Sequence, residues 1–203
     1  MPGRAERTGS LIPAILAMAG VVALSNFAVQ YPVHAFGLAD YLTFGALTYP
    51  FAFLVNDLIN RRFGARRTRR VVYFGFAIAV VLSIALATPR IAMASGAAFI
   101  VGQLLDITVF TWLRRQTWWR APLAGSLIGS ALDTVLFFSL AFAGVQQMSG
   151  PVTYPVFGTD VTVPLWMGLA FFDFLVKVAM ALLLLVPYGA LMSRIRPMEA
   201  VRG

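Results

Sequence analysis

Two stretches of the sequence carry an aspartate in the middle of a similar apolar phrase. Residues 101–110 read VGQLLDITVF and residues 128–137 read IGSALDTVLF. In both, a glycine lies four positions before the acid and a phenylalanine four positions after it, when the stretches are aligned on Asp106 and Asp133. A charged side chain inside a membrane helix costs about 2.5 to 3.5 kcal/mol and usually faces the bundle interior or a polar path. The repeat therefore predicts two carboxylates that face protein rather than lipid.

Other ionisable side chains lie in similar apolar surroundings. Arg61 follows Asp57 and Lys177 follows Asp173, each at the four-residue spacing that permits an ion pair on one helix face. Lys177 is the only lysine, and its ammonium, unlike a guanidinium, can lose a proton when it is desolvated. Asp57 is thus an ion-paired residue or a binding residue. Asp173 and Lys177 are a structural pair or part of a gate or proton-linked site.

The elements that carry these residues are long apolar segments. Of 203 residues, 60% are hydrophobic and 12% are charged, which is too apolar for a soluble domain of this length. About 20 apolar residues cross the hydrocarbon of a bilayer as a helix. The sequence therefore predicts an all-α membrane protein, with one domain over 1–203. Its six transmembrane helices are expected at about 11–30, 41–59, 71–88, 91–113, 122–144 and 164–188.

The distribution of basic residues predicts how these helices are oriented. Lys and Arg are absent from 31–40 and 145–163, whereas 61–70 holds six arginines and 114–121 holds three. Cytoplasmic connections are enriched in Lys and Arg, so we expect both termini and the basic connections in the cytoplasm. The run RRFGARRTRR at 61–70 contains a single aromatic residue for base stacking, and it is better suited to anionic lipid headgroups than to nucleic acid.

Three segments carry further structural expectations. The first apolar run follows two arginines like a signal peptide, but it extends well past the pattern Ala17-Met18-Ala19, so we expect a retained helix. Pro50 removes a backbone hydrogen bond and predicts a kink near the middle of the second helix. The connection 145–163 is expected outside the membrane, where it is long enough to re-enter the bilayer or to cover a cavity.

The helical rise places the two aspartates at similar depths. Asp133 lies about 16 Å, and Asp106 about 10 Å, from the cytoplasmic ends of their predicted helices. Because these helices are antiparallel neighbours, we expect both carboxylates to face one polar cavity. Phe53 and Trp112 are added as possible walls for a flat ligand, although every aromatic here also suits ordinary helix packing. The candidate binding residues are Asn56, Asp57, Gln103, Asp106, Phe110, Asp133, Phe137, Asp173 and Lys177.

Three blocks of the sequence resemble those of a known family. TYPFAFLVNDLINRRFG at 48–64, VGQLLDITVFTWLRR at 101–115 and GSLIGSALDTVLFFSLAF at 125–142 are similar, in order and spacing, to blocks of the queuosine-precursor transporter family, also called the VUT family. The likeness runs from the second to the sixth predicted helix. It departs at Asn60-Arg61-Arg62, where the family often has an acidic residue, so contacts at this cytoplasmic end are expected to differ.

The resemblance implies a multi-pass importer of the inner (plasma) membrane. Its cargo would be 7-deazaguanine bases, such as 7-cyano-7-deazaguanine (preQ0) and its aminomethyl relative, used in making queuosine for tRNA. The implied fold is akin to the substrate-binding components of vitamin importers, working without an ATPase. The chemistry agrees, because a guanine-like edge offers N–H donors to a carboxylate and a carbonyl to Asn or Gln. Asp133 or Asp106, with Asn56 or Gln103, would then bind the base.

The residues alone leave other functions open. The chain would also suit a binding component that needs a separate ATPase, since it has no phosphate-binding glycine loop, or a transporter of another small planar solute. An enzyme is not expected, because the absence of cysteine and the single His34 exclude common thiol and metal sites; a paired-carboxylate hydrolase would need neither. No cofactor or nucleic-acid partner is expected. The expected partners are the bilayer and a small planar base. The GxxxG pattern at 125–129 suits close packing either of two helices within one chain or of two copies, which leaves the oligomeric state open.

Overall fold

The described residues form a bundle of helices with one β-hairpin. The computed structural model describes residues 10–28, 31, 33–35, 42–86, 88–156 and 158–195. The helices are α1 (Ile12–Ala28), α2 (Phe44–Thr48), α3 (Phe51–Phe63), α4 (Ala65–Leu86), α5 (Pro89–Leu113), α6 (Arg120–Phe142) and α7 (Leu165–Met192). Between α6 and α7 lie a short 3-10 helix (Gln146–Met148) and the strands β1 (Pro151–Val156) and β2 (Thr159–Pro164).

Four of these helices, α4 to α7, are long and apolar enough to cross a membrane. Helix α1 is apolar but has 17 residues, and the second predicted span is divided between α2 and α3. The structure is therefore that of a mostly helical protein with at least four candidate spans in its described part. The predicted bounds of the spans in α5, α6 and α7 lie within a few residues of the observed helix ends.

The second predicted span is broken where the sequence predicts a kink. Helix α2 ends at Thr48, a turn holds Tyr49 and Pro50, and α3 starts at Phe51. Pro50 has a φ of −58° and takes the N-terminal cap position of α3, where its missing N–H costs nothing. The break confirms the prediction made from Pro50, and Tyr49 lies at the C-terminal cap of α2.

The basic run 61–70 is helical rather than an irregular connection. Its first residues form the last turn of α3, and residues from Ala65 onward form the start of α4, six residues before the predicted span. Gly64 separates the two helices with a φ of 77°, a conformation that glycine adopts without strain. Arginine is a good helix former, which explains why the helices extend into the charged run.

A β-hairpin corrects the prediction of an all-α protein. Strands β1 and β2 are antiparallel, with Val152 opposite Val163 and Thr153 opposite Thr162. This part of the connection 145–163 is rich in Val and Thr, which favour strands, and Gly158 has a φ of 83° between the strands. The hairpin rests on the start of α7, where the Tyr154 ring lies 5.7 Å from the Phe172 ring.

The apolar core brings α3 and α5 to the centre of the bundle. One cluster of buried side chains packs α1, α3, α4 and α5 together, and a smaller cluster around Phe110 and Tyr188 joins α5 to α7. Helices α5 and α6 form the most extensive contact between helices. Most polar side chains of α3, α5, α6 and α7 that face this interior are therefore buried.

Candidate functional site

The two aspartate phrases pack against each other, each glycine making room for the acid of the other helix. A Cβ added at Gly102 would lie 3.1 Å from the Cβ of Asp133 and 3.2 Å from the carbonyl oxygen of Gly129. A Cβ added at Gly129 would lie 3.0 Å from the carbonyl oxygen of Gly102 and 3.3 Å from the Cβ of Asp106. Gly125 likewise admits Oδ1 of Asp106. The sequence repeat is therefore a reciprocal packing device between antiparallel helices.

Lys177 is the centre of a paired ionic network between α6 and α7. Its ammonium lies 2.8 Å from Asp133 Oδ2 and 2.6 Å from Asp173 Oδ2, and it donates a 3.0 Å hydrogen bond to Thr134. The Thr134 hydroxyl donates to Asp173, and the Tyr49 hydroxyl donates to Asp133 Oδ1, both at 2.8 Å. The predicted pair of Asp173 and Lys177 is confirmed. Two carboxylates around one ammonium give this Lys177 network a formal charge of −1.

A second polar cluster, the amide–carboxylate cluster of Asn56, Asn60, Gln103 and Asp106, joins α3 to α5. The Asn56 amide nitrogen donates to Asp106 Oδ2 at 2.6 Å and to the backbone carbonyl of Gln103 at 3.2 Å. The Asn60 amide nitrogen donates to a backbone carbonyl of α5 and to the Thr111 hydroxyl, both at 3.2 Å. These acceptors determine the orientation of both carboxamides, because only an NH2 group can donate to a carboxylate or a carbonyl. The oxygens of Asn56 and Asn60 therefore face away from α5's acceptors.

This amide–carboxylate cluster contains buried polar atoms without partners. Gln103 approaches the Tyr49 hydroxyl but not with hydrogen-bond geometry. Unpartnered buried polar atoms are rare because each costs about 1 to 3 kcal/mol, and they point to water or a ligand. Seven buried side-chain atoms of α3 and α5 lack a hydrogen-bond partner in the described part of the chain. They are Asn56 Oδ1, Asp57 Oδ1, Asn60 Oδ1, Arg61 Nε, Gln103 Oε1, Gln103 Nε2 and Asp106 Oδ1.

A narrow cavity lies beside this cluster, between α3, α6 and α7. The space open to the centre of a water molecule is about 10 Å³, which is roughly the room that one water needs. The Phe53 ring lines the cavity and also lies against Gly129, next to Asp106. This conformation is therefore nearly closed around the site. The polar and aromatic lining comes from Phe53, Asp57, Ser126, Ser130, Lys177 and Tyr188.

The structure corrects two predictions about the acids. Asp106 and Asp133 do not face one cavity: they belong to different networks, and neither lines the space between α3, α6 and α7. The reciprocal glycine contact explains this, because each carboxylate is turned toward its own partners on either side of the α5–α6 interface. Asp57 and Arg61 form no ion pair, and Arg61 Nη1 instead donates to the Tyr188 hydroxyl at 3.5 Å.

The aromatic candidates are divided by the structure. Phe53 lines the cavity, whereas Phe110 is buried behind it with its ring 6.4 Å from that of Tyr188. Phe137 packs against Phe138 and Phe142 at the other end of α6, away from the polar cluster. Trp112 is 76% exposed and faces out of the bundle. The structure thus brings Phe53 alone of the predicted aromatic walls into the cavity.

Three polar residues of the two networks are not among those predicted from the sequence. Tyr49 bonds to Asp133, Thr134 bridges Asp173 and Lys177, and Asn60 extends the amide cluster. Available signals were the proline after Tyr49, the position of Thr134 beside Asp133, and the four-residue spacing of Asn56 and Asn60. None of these local signals identifies the partner, because each partner lies on another helix.

Comparisons with known proteins identify the family. A family model described as "Putative vitamin uptake transporter" matches residues 43–88 and 81–192. The chain is 34% identical to the "Probable queuosine precursor transporter" of Haemophilus influenzae and 32% identical to the "Queuosine precursor transporter" of Escherichia coli; each match covers 85% of this chain and 82% of the relative. A "Probable queuosine precursor transporter" of Bacillus subtilis is 27% identical, over 85% of this chain and 80% of its own.

No solved structure matches the chain significantly. The apolar helices and the transporter relatives together show a multi-pass membrane protein. The chain therefore belongs to the VUT family, whose model is described as "Putative vitamin uptake transporter", and the relatives it matches are named queuosine precursor transporters.

Proposed function

We propose that this protein imports queuosine precursors of the 7-deazaguanine class, preQ0 among them, across the inner (plasma) membrane. The names of its relatives support this class of cargo. The observation that carries the proposal is the buried cluster of unpartnered acceptors on α3 and α5. Such a cluster suits a ligand rich in N–H donors, as a guanine-like base is.

Within this proposal, the amide–carboxylate cluster forms hydrogen bonds with the polar edge of the base. Asp106 Oδ1 and Asn56 Oδ1 accept from the ring N–H and the amino group, while Gln103 Nε2 donates to the ring carbonyl. The Phe53 ring, which lies over Gly129 beside Asp106, supplies an apolar face for the flat base. Because the cavity has room for about one water, Phe53 and α3 must move to admit the base.

The Lys177 network is proposed to hold α6 and α7 together beside the substrate. Its ammonium already has three partners, so Asp133, Asp173 and Lys177 position the helices rather than contact the base. Tyr49 ties this network to the break between α2 and α3, so movement of the break and of the network is coupled. Phe110 supports Tyr188 from behind, and Phe137 has no part in the site.

We propose six spans, with α2 and α3 forming one broken span and both termini in the cytoplasm. The basic run of α3 and α4 and the arginines before α6 then lie inside, and the hairpin lies outside. On this topology the cavity, which is lined by residues 122–130 of α6 and 177–188 of α7, lies in the cytoplasmic half of the bundle. The structure on this topology is a nearly closed, inward-directed form.

An uptake assay tests the function. The chain is expressed in bacteria that neither make nor import 7-deazaguanines, preQ0 is supplied at low concentration, and queuosine is measured in tRNA. We expect modification with the native chain and about 10- to 100-fold slower uptake with Asp106→Asn, the loss of a charged hydrogen bond. Asp160→Asn, on the exposed face of β2, is the matched control and should have no effect.

The same assay has a result that contradicts the proposal. If the native chain reaches the membrane in normal amounts and tRNA stays unmodified, the cargo is another planar solute. Uptake by purified protein in liposomes, with no other chain present, distinguishes a self-sufficient importer from a binding component that needs an ATPase.

A further inference from the structure

Asp57 is a buried carboxylate without a partner. It lines the cavity between α3, α6 and α7, and it is 2% exposed. Its oxygens take part in no hydrogen bond or ion pair with a residue that the structure describes. Removing a carboxylate from water is costly unless a cation or several donors receive it. The position therefore suits a ligand that brings its own positive charge.

Neither Lys177, which lines the same cavity, nor Arg61, whose Nε has no partner, forms an ion pair with Asp57. Lys177 is held by the two carboxylates of its own network, at 2.8 and 2.6 Å. Arg61, one turn after Asp57 on α3, directs Nη1 to the Tyr188 hydroxyl. The facing wall of α6 supplies only the neutral hydroxyls of Ser126 and Ser130. No protein cation in the described residues thus neutralises Asp57.

The balance of unpartnered atoms points the same way. In the described chain, five carboxylate or carboxamide oxygens of α3 and α5 lack a donor, whereas only two donors there, Gln103 Nε2 and Arg61 Nε, lack an acceptor. An ammonium substituent on a base brings three N–H donors and a charge, whereas a nitrile brings an acceptor. An amine-bearing base satisfies more of these atoms than a neutral one does.

We infer that Asp57 is a specificity-determining residue, which selects a planar base carrying a protonated amine over the same base carrying a neutral substituent. The inference rests on the proposed function and adds to it the part of the site that reads charge. Asp106 and Asn56 read the edge that both bases share. Asp57, one helical step from Asn56 and on the cavity wall, reads the substituent.

Two bases that differ only in this group provide the test: 7-aminomethyl-7-deazaguanine, a cation, and 7-cyano-7-deazaguanine, which is neutral. Binding of both is measured to the purified full-length protein, and uptake of both into liposomes. We expect the native protein to bind the amine at least about 10-fold more tightly. Asp57→Asn should weaken amine binding about 10- to 100-fold and leave nitrile binding nearly unchanged.

Control variants separate charge from shape. Asp57→Glu keeps the charge and should retain a preference for the amine, whereas Asp160→Asn removes a carboxylate outside the cavity and should leave the preference intact. Thermal unfolding of each variant shows whether it is folded.

The outcomes distinguish this inference from the proposed function. Equal binding of both bases by the native protein would overturn the role of Asp57 and leave the import of 7-deazaguanines standing, and this comparison needs no variant. A parallel loss for both bases in Asp57→Asn, with reduced stability, would also overturn it and would identify Asp57 as structural. Failure of the native protein to bind or transport either base would contradict the proposed function itself.

Discussion

At the scale of single residues, the ionic groups of the bundle are not equivalent. Lys177 neutralises one of its two carboxylate neighbours and leaves one negative charge in the network. Asp133 is buried and bonds to both Lys177 and Tyr49, whereas the Asp173 side chain is 16% exposed and bonds to Lys177 and Thr134. The loss of the single cation should therefore cost more stability than the loss of one of the two anions.

Lys177→Met is expected to lower the free energy of unfolding by about 3 to 5 kcal/mol, because it leaves two buried carboxylates without a cation. Asp173→Asn should cost about 1 kcal/mol or less, since the remaining pair of Lys177 and Asp133 is neutral and the amide oxygen can still accept from Thr134. Equilibrium unfolding in mixed detergent measures both. Equal losses in the two variants would contradict the ionic balance described for this network.

At the scale of elements, the α5–α6 contact depends on glycine at the crossing. Gly102 and Gly129 bring the two backbones together, and the Phe53 ring lies over Gly129 from α3. The broken span adds a second dependence on local structure, because Tyr49 reaches Asp133 from the turn between α2 and α3. The polar networks are thus held by helix packing at one point and by a helix break at another.

Gly129→Ala is expected to destabilise the protein by about 1 to 3 kcal/mol, through overpacking. The added Cβ would lie 2.8 Å from Phe53 Cε1 and 3.0 Å from the carbonyl oxygen of Gly102, so the ring and the helices must shift. Gly20→Ala, in α1, is the matched control, because an added Cβ at Gly20 has no heavy atom within 4 Å. Because alanine has a higher helix propensity than glycine, this change should raise the free energy of unfolding by up to about 1 kcal/mol. If both changes lowered the free energy of unfolding by similar amounts, the destabilisation would not come from the contact between α5 and α6.

At the scale of the whole molecule, the charge distribution predicts which end of the bundle meets the cytoplasm. The six arginines of 61–70 and the three of 114–121 lie at the end where α3, α5 and α7 finish and α4 and α6 begin. The hairpin, whose strands carry no basic residue, lies at the start of α7. The two ends therefore differ in charge as cytoplasmic and external surfaces of a membrane protein do.

Single cysteines provide a test of this orientation, because the chain has no native cysteine. Thr153 on β1 and Thr117 before α6 are both exposed. We expect a membrane-impermeant maleimide to label Thr153→Cys in intact cells and Thr117→Cys only after the membrane is opened. The cysteine-free native chain is the control for labelling. The reverse pattern would place the termini outside and the cavity in the outer half of the bundle.

The sequence by itself determined the class of protein, most of the helices and the break at Pro50, and it showed that Asp173 and Lys177 could form a pair. These features depend on hydropathy, on proline chemistry and on four-residue spacing, all of which are local. Local signals also suffice to show that Asp106 and Asp133 face protein, because lipid cannot receive a carboxylate.

Only the tertiary structure decided which partner each carboxylate has. Asp133 bonds to Tyr49 across 84 positions of sequence, and Asp106 bonds to Asn56 across 50. Such pairings depend on the rotation of each helix about its own axis, which the glycine contact sets for α5 and α6. On α3, Asp57 lines the cavity while Arg61 reaches Tyr188, although their spacing permits an ion pair. The spacing of residues along one helix shows which side chains could interact, and the packing between helices decides which of them do.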